Sequence, residues 1–395
     1  MDRRLNALPR AAGSPGAKST PAPHPFRVLA RIAFALFIVP TFVCGVLAGL
    51  ARFGVSVPSH ALSKAAWHGV LVLPVFFGAL VSLERAIALG GGRHLGAPVA
   101  AVLAGWALLA GAPVALAQAL LLGAATSAAA SVLGLLRRHA ALHLAVLSLG
   151  VFAWWFGNAL WLFTGSAPDA VPSWVAFLVL TIAAERLELT RMRPTPRYAR
   201  ALFVLTVAVL LAAVIASPFA PDVASRAFSA CLLALAAWLA RYDIARITVR
   251  QHGLTRFIAV CLLSGYGWLA LSGILGLAGA WRSAHPWHDA ALHALTLGFV
   301  MSMALGHAPI VLPAVARIRV RYHAGFYVPL LALHAALAVR VGGSLLDLFG
   351  LRRAGALGNA AALLLFAAVM VAAARAAHCK ARQACSPSPN ERSSR

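Results

Sequence analysis

Residues 288–313 read HDAALHALTLGFVMSMALGHAPIVLP, apolar almost throughout yet carrying histidines at 288, 293 and 307. At 1.5 Å per helical residue the stretch is long enough to cross the roughly 30 Å hydrocarbon core of a bilayer. An ionisable ring inside such a segment is expensive and marks a functional position by default. Reading this stretch as a lipid-crossing helix with imidazoles inside it sets the fold class and the search for a site.

The rest of the chain agrees with a membrane solvent. Of its 395 residues 61% are hydrophobic and 11% charged, against roughly 45–50% and 25% in soluble domains. The mean hydropathy is +0.84. The excess falls into runs of bilayer-crossing length, and the pattern predicts an all-α integral membrane bundle of twelve spans. These lie at 28–50, 65–89, 96–111, 114–136, 141–164, 173–190, 198–217, 223–241, 256–280, 288–313, 323–341 and 354–377. Residues 1–27 read as a disordered basic tail, 28–377 as the membrane domain and 378–395 as a polar tail. The first apolar run is span-length and reads as an uncleaved helix rather than a signal peptide. Cys44, Cys231 and Cys261 fall within spans, where a thiol acts as a small apolar group. Cys379 and Cys385 fall in the tail, and the spacing offers no disulfide framework.

The net charge of +24 is not read as nucleic-acid binding. Arg and Lys sit in short loops, where they set topology and meet anionic lipid. With the N-terminus placed in the cytoplasm, 27 of the 34 basic residues fall on the cytoplasmic side and 7 on the other. That bias predicts both termini inside, with Arg340, Arg352 and Arg353 as exceptions.

Topology converts positions into depths. His68 on span two, His293 on span ten and His334 on span eleven come out roughly 6, 7 and 9 Å below the outer face. Three imidazoles at one level form a candidate metal-ligand cluster, because neutral imidazole is a common ligand and two on facing helices can clamp a heme iron. His60, His285 and His288 fall just above, at the interface. His307 shares a face with His293 but is roughly 21 Å deeper, too far for the same iron.

Aromatics gather in the same half. Trp281 and Trp287 read as an interfacial belt, whereas Trp154, Trp155 and Asn158 are candidates for lining a cofactor pocket. Gly45 and Gly49 form a GxxxG pair, and Gly273, Gly276 and Gly279 a small-residue stripe, both expected to let helices approach closely. Spans two and six each end in Glu–Arg, Glu84–Arg85 and Glu185–Arg186, expected to anchor the inner boundary by ion pairing.

At spans nine to eleven, LLSGYGWLALSGILGL and ALHALTLGFVMSMALGHAPIVLP resemble the NnrS family, with a weaker match at span two in AWHGVLVLPVFFGALVSLERAIAL. Those are twelve-span proteins of the bacterial inner membrane associated with the nitric oxide response and denitrification. They are described as containing heme and copper, and are distantly similar to the catalytic subunit of heme-copper oxidases. The resemblance implies an oxidase-like fold in which His68 and His293 hold a low-spin heme. The family's early span reads Trp-His-x-His-Glu, whereas here it is Trp67-His68-Gly69-Val70-Leu71. Spans six and seven hold no histidine, which argues against copper and against the oxidase reaction.

The expectation is a heme-binding membrane protein acting in nitric oxide handling or electron transfer at the outer face of the inner membrane. His68 and His293 would be ligands and His334 a third ligand or distal group. Its partners would be membrane lipid, nitric oxide or another small gas, and an electron-donor protein or quinone. The sequence leaves open whether it is an enzyme. The alternative from another class is a cofactor-free permease, although transporters place their sites near the midplane of repeated halves.

Overall fold

The computed structural model describes residues 25–192, 195–316 and 320–384. The first 24 residues and the last 11 lie outside it. So do most of the two predicted tails, His24 and Cys385. The described residues form helices, with no strand among them.

Twelve long helices follow one another: α1 (Pro25–Ala51), α2 (Ala65–Ala88), α3 (Gly96–Leu109), α4 (Val114–Arg138), α5 (Leu142–Thr164), α6 (Ala167–Leu189), α7 (Arg197–Ala216), α8 (Pro221–Tyr242), α9 (Gly253–Leu277), α10 (His288–Pro313), α11 (Ala324–Leu345) and α12 (Phe349–Ala384). Ten of these, all but α1 and α3, are long and apolar enough to cross a membrane among the described residues. The chain is a multi-pass membrane protein. Helix α3 has 14 residues, about 21 Å of helix, short of the roughly 30 Å core. It stops because Gly111 takes a left-handed φ of 76° ahead of Pro113, so the GAP triplet turns the chain. The expected bounds differ most at two helices: α6 begins at Ala167, with Pro168 and Asp169 in its first turn, a combination suited to a helix N-terminus. Helix α12 runs past the expected 377 into the region read as tail.

Sequence neighbours pack as antiparallel pairs, α3 on α4, α5 on α6, α8 on α9 and α11 on α12, while α1, α2, α6 and α10 meet across the chain. Helix α6 is the centre: every residue from Ser173 to Ala184 is buried. A helix apolar on all sides has no lipid-facing or polar stripe and belongs inside a bundle. The glycine pairs act as expected. A Cβ at Gly45 would lie 3.0 Å from Val72 of α2, and one at Gly273 would lie 2.9 Å from the Ser229 carbonyl of α8. Gly45 thus makes room for side chains of α2, and Gly273 lets α9 close on the backbone of α8.

Regular α-helix was expected throughout, but two helices widen into π-turns. These segments are Leu71–Phe77 in α2 and Ala294–Met301 in α10. In α2, Pro74 supplies a cause: it has no N–H and its ring crowds the carbonyl four residues back, so the wider ladder relieves it. The α10 segment contains no proline. Each π segment starts within three residues of a histidine, His68 or His293, and π-turns concentrate at functional sites.

Candidate functional site

The π-turn helices bring His68 and His293 together. Their ring centroids are 6.3 Å apart and their planes 16° from parallel. His68 Nδ1 lies 2.7 Å from the Gly45 carbonyl of α1. His293 Nδ1 lies 2.9 Å from the Asp289 carbonyl, one turn back on its own helix. A carbonyl oxygen only accepts, so both Nδ1 atoms carry the proton and both Nε2 atoms keep a lone pair. Neither Nε2 has a hydrogen-bond partner among the described residues. Gly49 makes room for the first ring: a Cβ there would fall 2.7 Å from His68 Nδ1 and Cε1. The GxxxG pair on α1 thus has a second use beyond close packing, since Gly45 anchors the ring and Gly49 seats it.

Both rings line one cavity of about 910 Å³ at the end of the bundle where α1 passes into α2. That is within the usual size of cofactor and ligand pockets, about 300–1,000 Å³. Its walls are largely apolar, with Phe42, Phe77 and Trp174 among them. Its polar side is basic: Arg52, Arg282, Arg340 and Arg352 line it, against Asp169 and Asp289. Arg282 is paired with Asp222 at 2.9 Å, and both are exposed. Arg340 and Arg352 spread over the Phe53 ring, 5.0 and 5.9 Å from its centre.

Arg340 broke the charge pattern of the sequence, and its contacts give the reason. Its guanidinium grips the Asp289 carboxylate with Nε on Oδ2 at 2.9 Å and a terminal nitrogen on Oδ1 at 2.7 Å. Asp289 Oδ1 is also 3.2 Å from His293 Nδ1. The side chains of Arg340, His293 and Asp289 are 9%, 12% and 18% exposed. Arg340 therefore answers to a buried carboxylate rather than to the topology rule. Sequence reasoning missed this trio; the i,i+4 spacing of Asp289 and His293 was the available signal.

A family model described as "Domain of unknown function (DUF8744)" matches residues 31–375. The chain belongs to this family. No curated protein and no solved structure matches it.

Other candidate residues of this DUF8744 chain lie elsewhere. His334 does not line the cavity. Its Nδ1 accepts from Trp268 Nε1 at 2.8 Å, which leaves Nε2 to donate to Ser264 Oγ at 3.0 Å. With both ring nitrogens engaged, it offers no free lone pair in this arrangement. Trp154 is fully buried and stacks on Phe177 at 5.2 Å, away from the cavity wall. Trp155 is 36% exposed and donates to Thr126 Oγ1 at 3.2 Å. Asn158 acts one step removed. It donates to the Leu121 carbonyl at 3.1 Å and accepts from Trp174 Nε1 at 2.9 Å, and so fixes a ring of the cavity wall. Trp281, expected in an interfacial belt, is instead buried edge-on against Phe228 at 5.1 Å and lines the cavity. The reason is local: the chain turns at Gly279, φ 96°, and folds the indole back over Gly276. His288 also lines the cavity, with Nδ1 3.1 Å from the Ala280 carbonyl.

The two Glu–Arg pairs meet toward the opposite end. Arg85 of α2 pairs with Glu185 of α6. Arg186 points to α10, 3.1 Å from His307 Nε2, whose Nδ1 faces the Met303 carbonyl at 2.8 Å. The echo in the sequence is thus a cross-helix clasp rather than two local pairs. No group of three or more metal-ligating side chains occurs among the described residues.

Proposed function

We propose that this chain is a heme-binding, multi-pass membrane protein of the NnrS type, with His68 and His293 as the two ligands. The observation that carries the reading is the imidazole pair, 6.3 Å apart on one cavity with both Nδ1 protons given to carbonyls. At that separation the two rings are close enough to share one metal ion, given metal–imidazole bonds of about 2 Å. Metal-bound histidines characteristically donate their second nitrogen to a carbonyl or carboxylate, as these do.

The cavity suits the rest of the group. Heme is a flat apolar disc with two carboxylate arms, and the walls are apolar with a rim of four arginines. When bound, the group would supply one-electron chemistry and an iron able to take a small gas such as nitric oxide. His68 and His293 would hold it, Arg52 and Arg352 would neutralise its carboxylates, and Phe42, Phe77 and Trp174 would exclude water from its faces.

The same reading includes twelve spans in an oxidase-like arrangement in the bacterial inner membrane, with both termini cytoplasmic and the cavity toward the outer face. Electrons would come from a donor protein or a quinone. Helices α1 and α3 stand where the first and third spans are expected, which supports the count. The test is the absorption spectrum of the detergent-purified full chain after incubation with hemin. A Soret band with low-spin features is expected, and the low-spin features should be lost in His68→Ala and in His293→Ala. A folded protein that stays colourless would reject the heme reading and favour a cofactor-free permease.

A further inference from the structure

The two imidazoles are alike in position but not in support. His68 is held across a helix interface by a neutral group, the Gly45 carbonyl of α1. His293 is held within α10 by Asp289, through both its carbonyl and its carboxylate. That carboxylate cannot swing away, because Arg340 of α11 grips both of its oxygens. Arg340 is itself pinned over Phe53 in the turn after α1. Two helices and that turn therefore hold one ring through a charged pair, whereas the other has one bond to a neutral carbonyl and its seat against Gly49.

A carboxylate beside an imidazole Nδ1–H draws that proton and raises electron density at the far nitrogen, making it a stronger donor, and it fixes the ring's orientation. A neutral carbonyl does the same more weakly. We propose that Asp289, clamped by Arg340, is a positioning residue that makes His293 the permanent ligand, while His68 is the ligand that yields when a small molecule binds. This rests on the heme reading above. On release, His68 Nε2 keeps its lone pair and Nδ1 keeps its proton, so no electron or proton has to move. Gly49 seats the His68 ring from the α1 side by contact alone, so apart from packing the ring is held by one bond to a neutral carbonyl.

The test uses the full chain in detergent, loaded with hemin, and compares His68→Ala, His293→Ala and Asp289→Asn by spectrum, hemin affinity and midpoint potential. His68→Ala is expected to keep heme in a high-spin form that takes up carbon monoxide faster than the wild type. His293→Ala is expected to lose most of its heme. Asp289→Asn is expected to stay low-spin, to bind hemin about 10–100-fold more weakly, and to show a raised midpoint potential, because a less electron-rich ligand stabilises the oxidised form less. A purely structural Asp289 would lower thermal stability and leave the potential unmoved. Size-exclusion profiles select folded protein, and added imidazole fills the place of a deleted ring, so heme loss is separable from misfolding. Arg340→Gln should weaken hemin binding as Asp289→Asn does, and because it removes a positive charge instead of a negative one it should lower the midpoint potential. Equal heme loss in the two histidine variants, or an unmoved potential in folded Asp289→Asn, overturns the inference and leaves the heme reading intact. A colourless wild type removes both.

Discussion

Gly49→Ala is the sharpest probe of how His68 is held, and it needs no cofactor. The new methyl carbon would sit 2.7 Å from His68 Nδ1 and Cε1, well inside van der Waals contact. Either α1 moves off α2, which the close packing of Gly45 against Val72 opposes, or the ring turns and gives up its 2.7 Å bond to the Gly45 carbonyl. Overpacking of this kind costs about 1–3 kcal/mol, and losing the bond adds about 0.5–1.5 kcal/mol. Alanine's better helix propensity returns about 0.5–1 kcal/mol. The net expectation is a loss of about 0.5–4 kcal/mol. Gly69→Ala is the matched control. It adds the same methyl group beside His68 on α2, where nothing lies within 4 Å, so only the propensity gain of about 0.5–1 kcal/mol applies. Because that gain is common to both, reversible unfolding in mixed micelles should separate the variants by about 1.5–4.5 kcal/mol. Equal stabilities would show that the His68 ring does not rest against Gly49, and the anchoring argument would fall with it.

Asn158→Ala should lower stability by about 1–3 kcal/mol, because the buried Trp174 Nε1 loses its partner, while the Leu121 carbonyl keeps its bond within α4. Trp155→Phe, at an exposed ring, should unfold within about 0.5 kcal/mol of the parent in the same assay. Glu185→Gln should destabilise by about 1–3 kcal/mol through loss of the Arg85 pair, and more than Glu84→Gln; the reverse order would argue that Glu84 is the real partner. Reporter fusions at the C-terminus and in the turn near Asp169 should give cytoplasmic and periplasmic signals respectively, as the 27 to 7 distribution of basic residues requires. Like signals from both would refute the topology.

The membrane class is determined by the sequence alone, because crossing lipid demands long apolar helices and nothing about their packing has to be known. The same logic placed His68 and His293 at one level before any contact was known: a helix converts residue number into depth at a constant rise. His334 came out at nearly the same level, but depth says nothing about which way a ring faces. Packing turned it to Trp268 and Ser264 and turned the other two to a shared cavity. Asp289 and Arg340 were hidden for a related reason. Asp289 carried no reading and Arg340 was only an exception to the charge rule, because their meaning lies in a bidentate grip between α10 and α11 that no single helix contains. The π-turns after both histidines were likewise invisible, since widening of a helix is settled by what its neighbours press against it. Sequence therefore determined solvent, helix order and depth, which are local or one-dimensional properties. Azimuth, partner choice and ligand support are relations between helices, and only tertiary packing decides them.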